Sequence, residues 1–112
     1  MSDRDIHDAV DFLYTHGKKY AEAKAHRVYL EEYRKSLKSM IMKRAMQEGV
    51  KTVAAAEIEA YSDPEYVGLL AGLKEAVDNE EGLRWGLVSA QARIDVWRST
   101  EASNRAVDKA TL

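Results

Sequence analysis

His7, His16 and His26 are the only imidazoles in the chain, and none has a second histidine at the i+4 spacing that sets two metal ligands on one helical face. His7 shares a helical face with Asp3 and Asp11, at best a weak metal site, because zinc centres need three or four converging ligands. No nucleophilic Ser/His/Asp arrangement, glycine-rich phosphate loop or HExxH motif occurs. Glu80 and Glu81 are adjacent, so on a helix they diverge by roughly 100° and cannot share a proton. The chain is therefore expected to have no catalytic residues, no metal and no cofactor, and not to be an enzyme.

Charge offers a second kind of chemistry. The net charge is only −2, yet it is segregated. Residues 17–51 carry ten Lys or Arg against four acids, whereas residues 57–81 carry eight acids against one lysine. At roughly 100° per residue, Lys24, Arg27, Arg34, Lys35 and Lys38 project within one arc beside the apolar face, interrupted only by Glu31. Such a row of cations is what a polyanion needs, since each neutralised phosphate releases a counterion. Tyr29 and Tyr33 lie near the stripe and could stack on unpaired bases. The stripe has another reading, in which it is solvated or pairs with the acidic block, where Glu57, Glu59 and Glu75 are the candidate partner-binding carboxylates. Near the end, Trp97, Arg98 and Arg105 form either a hook for a partner or a tryptophan seal with arginines lying over it.

The elements that must position these residues are helices. Proline occurs once, at Pro64, no hairpin dipeptide such as Asn-Gly is present, and good helix formers dominate. Cysteine is absent, the N-terminal "MSDRDIHDAVDF" is acidic where a secretion signal is basic, and the apolar runs are too short to span a bilayer. An intracellular, cytoplasmic protein with no membrane contact is expected, folded as a single domain with an acidic N-terminal segment over residues 1–16.

Ser2 or Asp3 caps a first helix that Gly17 bends or interrupts. From Tyr20 to about Met46, Ala23, His26, Tyr29, Leu30, Tyr33, Leu37, Met40 and Ile41 share a face, with Leu30, Tyr33, Leu37 and Met40 in a, d spacing. Gly49 ends this helix and Thr52 caps a short alanine-rich connector. "SDPE" at 62–65 predicts the next start, with Ser62 and Glu65 as a capping box and Pro64 in the first turn. The apolar spacing of that last helix slips by a residue across Asp78 to Gly82, and its polar tail over 99–112 is expected to fray. The fold class is all-α: an antiparallel hairpin of two long helices with a short connecting helix. Each apolar stripe is wider than one partner needs, so a homo-oligomeric bundle is expected.

The long helix "AKAHRVYLEEYRKSLKSMIMKRAM", the alanine-rich connector, "SDPEY" and "LRWGLVSAQARIDVWRSTEASNR" together resemble small all-helical proteins of phage and prophage recombination–replication modules. The layout is similar to the UvsY-like phage recombination mediators. The resemblance implies an oligomer in a bacterial host cytoplasm that binds single-stranded DNA and assists a recombinase or annealing protein. It implies that Lys24, Arg27, Arg34, Lys35, Lys38, Lys43 and Arg44 face the DNA. The acidic block leaves room for a different function, a helical protein-interaction module of phage origin with no nucleic-acid role.

Overall fold

The computed structural model describes residues 2–111. They form α1 (Asp3–Gln47), α2 (Val53–Ser62) and α3 (Pro64–Thr111), and no strand occurs among the described residues. The all-α hairpin of two long helices with a short connecting helix is what the structure shows.

Local chemistry explains each boundary. Ser2 caps α1 by a reciprocal exchange: its hydroxyl accepts from the Asp5 backbone N–H, and the Asp5 carboxylate accepts from the Ser2 N–H and hydroxyl. Those hydrogen bonds, first from the Ser2 backbone, hold the Asp5 carboxyl below its usual range. α1 stops at Gly49, whose φ of 112° lies in the left-handed region. The Val50 N–H then reaches the Ala45 carbonyl and the Gly49 N–H reaches that of Met46, the paired bonds of a Schellman ending. Thr52 caps α2 by accepting from the Ala55 N–H at 3.1 Å.

The start of α3 corrects the sequence pattern. Ser62 is the last residue of α2, and its hydroxyl donates back to the Ile58 carbonyl. Asp63 takes the cap instead, accepting from the Glu65 N–H at 2.8 Å, with Pro64 opening the helix. One residue thus ends α2 and starts α3.

Neither long helix breaks. α1 passes through Gly17 and α3 passes through Gly82 and on to Thr111, with every residue from Ala102 to Thr111 exposed. The covered positions of α1 run Ala9, Leu13, His16, Tyr20, Ala23, Arg27, Leu30, Arg34, Leu37, Ile41, alternating steps of four and three. Those of α3 run Tyr66, Leu69, Leu73, Ala76, Glu80, Leu83, Leu87, Ala90, Ile94, Trp97, Glu101 in the same alternation. Both are unbroken heptad seams. The expected slip at Asp78 to Gly82 does not exist, because Glu80, a carboxylate, occupies a seam position.

The expected seam on α1 is likewise displaced. Tyr29, Tyr33 and Met40 are exposed, as is His26, while Arg34 and Ile41 take the covered places. An apolar count favours tyrosine and methionine over arginine, but an arginine stem covers apolar surface well when its head finds water or a carboxylate.

The chain divides into two compact units: Glu22–Glu80, and the residues up to Ala21 together with those from Glu81 onward. In the first, Leu37, Ile41, Ala60 and Tyr66 form the core, with Met42 and Leu69 packed against it. Tyr61 meets Tyr66 edge to face, with centroids 5.4 Å apart. In the second, Ala9 and Ala90 are buried, and the Phe12 ring lies against Gly86, so closely that a Cβ there would sit 3.0 Å from it. Pairings within each unit run antiparallel: Ile41 with Tyr66 and Arg27 with Glu80 in one, Phe12 with Gly86 and Asp5 near Arg93 in the other. Alanine supplies most of the buried apolar residues. Small seam residues let helices approach closely, but each buries little area, at about 25 cal/mol per Å².

Candidate functional site

The candidate cations do not form one free stripe. Arg27 and Arg34 sit in the α1 seam, and the structure engages most of the others with acids. Arg27 donates from Nε to Glu80 Oε2 at 2.6 Å and from its terminal nitrogen to Oε1 at 3.0 Å, a two-pronged pair across the hairpin. Its other terminal nitrogen reaches Glu31 at 3.0 Å. Glu80 is the one buried charged residue among those described. The hydrogen bonds Arg27 donates to Glu80, and then to Glu31, raise its guanidinium above the usual range, against the opposing effect of burial.

Lys38 faces α2. Its Nζ donates to the Tyr61 hydroxyl at 2.8 Å, lies 4.5 Å from the ring centre, and sits 3.6 Å from the Glu57 carboxylate. The Tyr61 hydrogen bond first, and Glu57 after it, push the Lys38 ammonium up, with desolvation acting the other way. Arg44 bridges to Asp63 at 3.6 Å and to Glu65 at 3.8 Å, so it ties the end of α1 to the start of α3. Lys35 pairs with Glu32 one turn earlier on the exposed surface. Lys24, Arg34 and Lys43 make no ion pair among the described residues.

Tyr29 and Tyr33 do stack on each other, with ring centroids 6.0 Å apart and planes within 7°. They do not join the cations. At 100° per residue they lie roughly 120–180° round α1 from Lys24, Lys35 and Lys38. Of the acidic candidates, Glu57 is half-buried against Lys38, while Glu59 and Glu75 are exposed. Trp97 is half-buried in the α3 seam; Arg98 pairs with Asp95 at 3.1 Å, and Arg105 is exposed.

Three participants were not singled out from the sequence. Glu80 stands in sequence as one of two adjacent acids, and only its heptad position opposite Arg27 marks it. Tyr61 lies within the alanine-rich connector, where nothing in the sequence marks it as a partner of Lys38. Trp85 is 59% exposed, with the Arg84 guanidinium 4.6 Å from its ring centre.

A shallow groove of about 310 Å³ in the second unit is lined by Asp8, Phe12, Gly86, Ser89 and Arg93 among others. Phe12 and His16 stack beside it at 3.9 Å, and His16 Nδ1 lies 3.2 Å from the Phe12 carbonyl, so that imidazole is tied to its own helix. Among the described residues no group of three or more His, Asp or Glu side chains converges at metal-binding distance, and no helix is long and apolar enough to cross a membrane. No family model, curated protein or solved structure matches this chain.

Proposed function

We propose that this chain is a non-enzymatic helical protein-interaction module whose basic helix turns several of its cations, Arg27, Lys38 and Arg44, onto the chain's own acidic elements. The observation that carries this reading is the Arg27–Glu80 pair, in which a guanidinium of the stripe is turned inward onto a buried carboxylate. Lys38 on Glu57 and Arg44 on Asp63 and Glu65 follow the same plan. Large apolar side chains remain open for contact: Tyr29, Tyr33, Met40, Ile58 and Trp85 are all exposed. Large exposed apolar side chains in a small helical protein favour protein partners.

Single-stranded DNA binding beside a recombinase, as the phage resemblance implies, has to rest chiefly on Lys24, Arg34 and Lys43. Lys24 and Arg34 share one arc of α1, whereas Lys43 points roughly 100–180° away from them. Three phosphate contacts give a salt slope of only about −2, which is weak binding.

Charge reversal separates the two functions. Arg27→Glu and Lys38→Glu are expected to lower the melting temperature followed by circular dichroism, whereas Lys24→Glu and Lys43→Glu leave it within a degree or two, as surface changes do. Unchanged melting of Lys38→Glu and Arg27→Glu would mean that the stripe is not engaged internally, and the reading would fail.

A further inference from the structure

The side of α3 that faces away from its seam ought to be the most charged part of the helix, because it meets only water. Between residues 85 and 110 it carries no charge. Trp85, Val88, Ala92, Val96, Ser103 and Val107 lie along it, all exposed, within an arc of roughly 120° at 100° per residue. The charged side chains of this segment, among them Arg93, Asp95, Arg98, Glu101 and Arg105, all fall outside that arc. The four large ones, Trp85, Val88, Val96 and Val107, are 59%, 45%, 58% and 60% exposed, and three of them, Trp85, Val96 and Val107, recur every eleven residues.

A second observation concerns support. Phe12 packs at Gly86 and Asp5 feels the charge of Arg93, so α1, which begins at Asp3, runs out level with the middle of this segment. α3 continues regardless to Thr111, and beyond Glu101 every described residue is exposed. A helical extension of that length is marginal in water when nothing packs on it.

We infer that this stripe is a self-association surface on which a second copy of the chain docks, α3 against α3 in antiparallel orientation, with Val96 of each copy at the two-fold axis. The spacing is self-complementary about that point. Trp85 and Val107 both stand eleven residues from Val96, so each tryptophan meets the other copy's Val107, with Val88 and small residues between. The absence of charge around Val96 is what a surface meeting its own copy requires, since any charge near the axis would face its like, and the one guanidinium over the stripe, that of Arg84 on Trp85, stands at its far end. The stripe is about 38 Å long at 1.5 Å per residue, and two such stripes about 12 Å wide bury about 900 Å² in total, the low end for a specific interface. The dimer is therefore a concentration-dependent one. This surface lies wholly on α3, and its occupant does not depend on whether the basic residues of α1 are engaged internally.

The test is analytical ultracentrifugation of the full chain, with circular dichroism as the fold control. Wild type is expected to pass from monomer to dimer between about 5 μM and about 200 μM, as a small interface allows. Val96→Glu and Val96→Lys, changes at an exposed position, each place like charges at the axis and are expected to weaken association at least about tenfold. An equal mixture of the two variants is expected to recover the dimer, because each glutamate then meets a lysine. Monomeric wild type across that range overturns the proposal, as does wild-type association of Val96→Glu. Weakened variants that the mixture does not rescue overturn the Val96-centred antiparallel arrangement.

Discussion

Replacing glycines of α3 by alanine gives the sharpest internal check on the register of the second unit. Gly72 and Gly86 both lie inside α3, so each withholds the roughly 1 kcal/mol that alanine would give a helix interior. At Gly72 a new Cβ meets nothing within 4 Å. Gly72→Ala should therefore add about 1 kcal/mol, or about 4 °C of melting temperature for a chain this size. At Gly86 the Cβ lands 3.0 Å from Phe12 Cζ and 3.2 Å from Cε1, and the ring is also stacked on His16, with centroids 3.9 Å apart. Phe12 must leave that stack or the helices must part, a cost of about 1–3 kcal/mol that cancels or exceeds the helical gain. The two variants should differ by about 1–3 kcal/mol in urea unfolding, Gly72→Ala being the more stable. In a Phe12→Leu background the difference should shrink. A Gly86→Ala protein as stable as Gly72→Ala would refute the packing of Phe12 on α3 and with it the register of that unit.

Other outcomes follow from individual contacts. Glu80→Gln should lower the melting temperature far more than Glu32→Gln, because only the first leaves a cation without its buried counter-charge; Arg27→Met with Glu80→Leu should restore most of the loss, as apolar replacement of a buried pair does. Asp63→Ala should cost about 1 kcal/mol in chemical unfolding and Ser62→Ala under about 0.5 kcal/mol, the reverse of what a Ser62–Glu65 capping box demands. Lys38 is raised above its ordinary 10.5, so its stabilisation is complete below that value and lost as the pH climbs through the folded pKa. Wild type should therefore lose melting temperature more steeply above pH 10.5 than Lys38→Met does, and parallel curves would contradict the Lys38–Tyr61–Glu57 contact.

How much of this was legible in the sequence depends on the range of the interaction. Ser2, Gly49, Thr52 and Pro64 act on neighbours a few residues away, and their types alone located the helix ends. The heptad seams were legible in period but not in phase. Arg27, Arg34 and Glu80 occupy seam positions because a partner on the facing helix or the nearby solvent satisfies them, and no property of α1 alone records that. Tyr29, Tyr33 and Met40 mimic a seam at the same period, displaced round the helix. The same cause governs the functional candidates. A stripe of cations on one helix and a block of acids elsewhere are equally compatible with a polyanion surface and with internal pairing, until the fold shows which acids come within reach. Trp85 illustrates the complement: its exposure is set by the facing helix, not by its own neighbours in sequence.

The measurement that tests the central claim most directly is fluorescence anisotropy of a labelled single-stranded oligonucleotide, titrated with the folded full chain at low and at moderate salt. With Arg27, Lys38 and Arg44 held by Glu80, Glu57, Asp63 and Glu65, the three candidates unpaired among the described residues, Lys24, Arg34 and Lys43, predict weak binding at low salt with a shallow salt slope, near about −2. Tight binding at low salt with a slope of about −4 or steeper would show that Arg27, Lys38 and Arg44 leave their carboxylates for phosphate, and would contradict it.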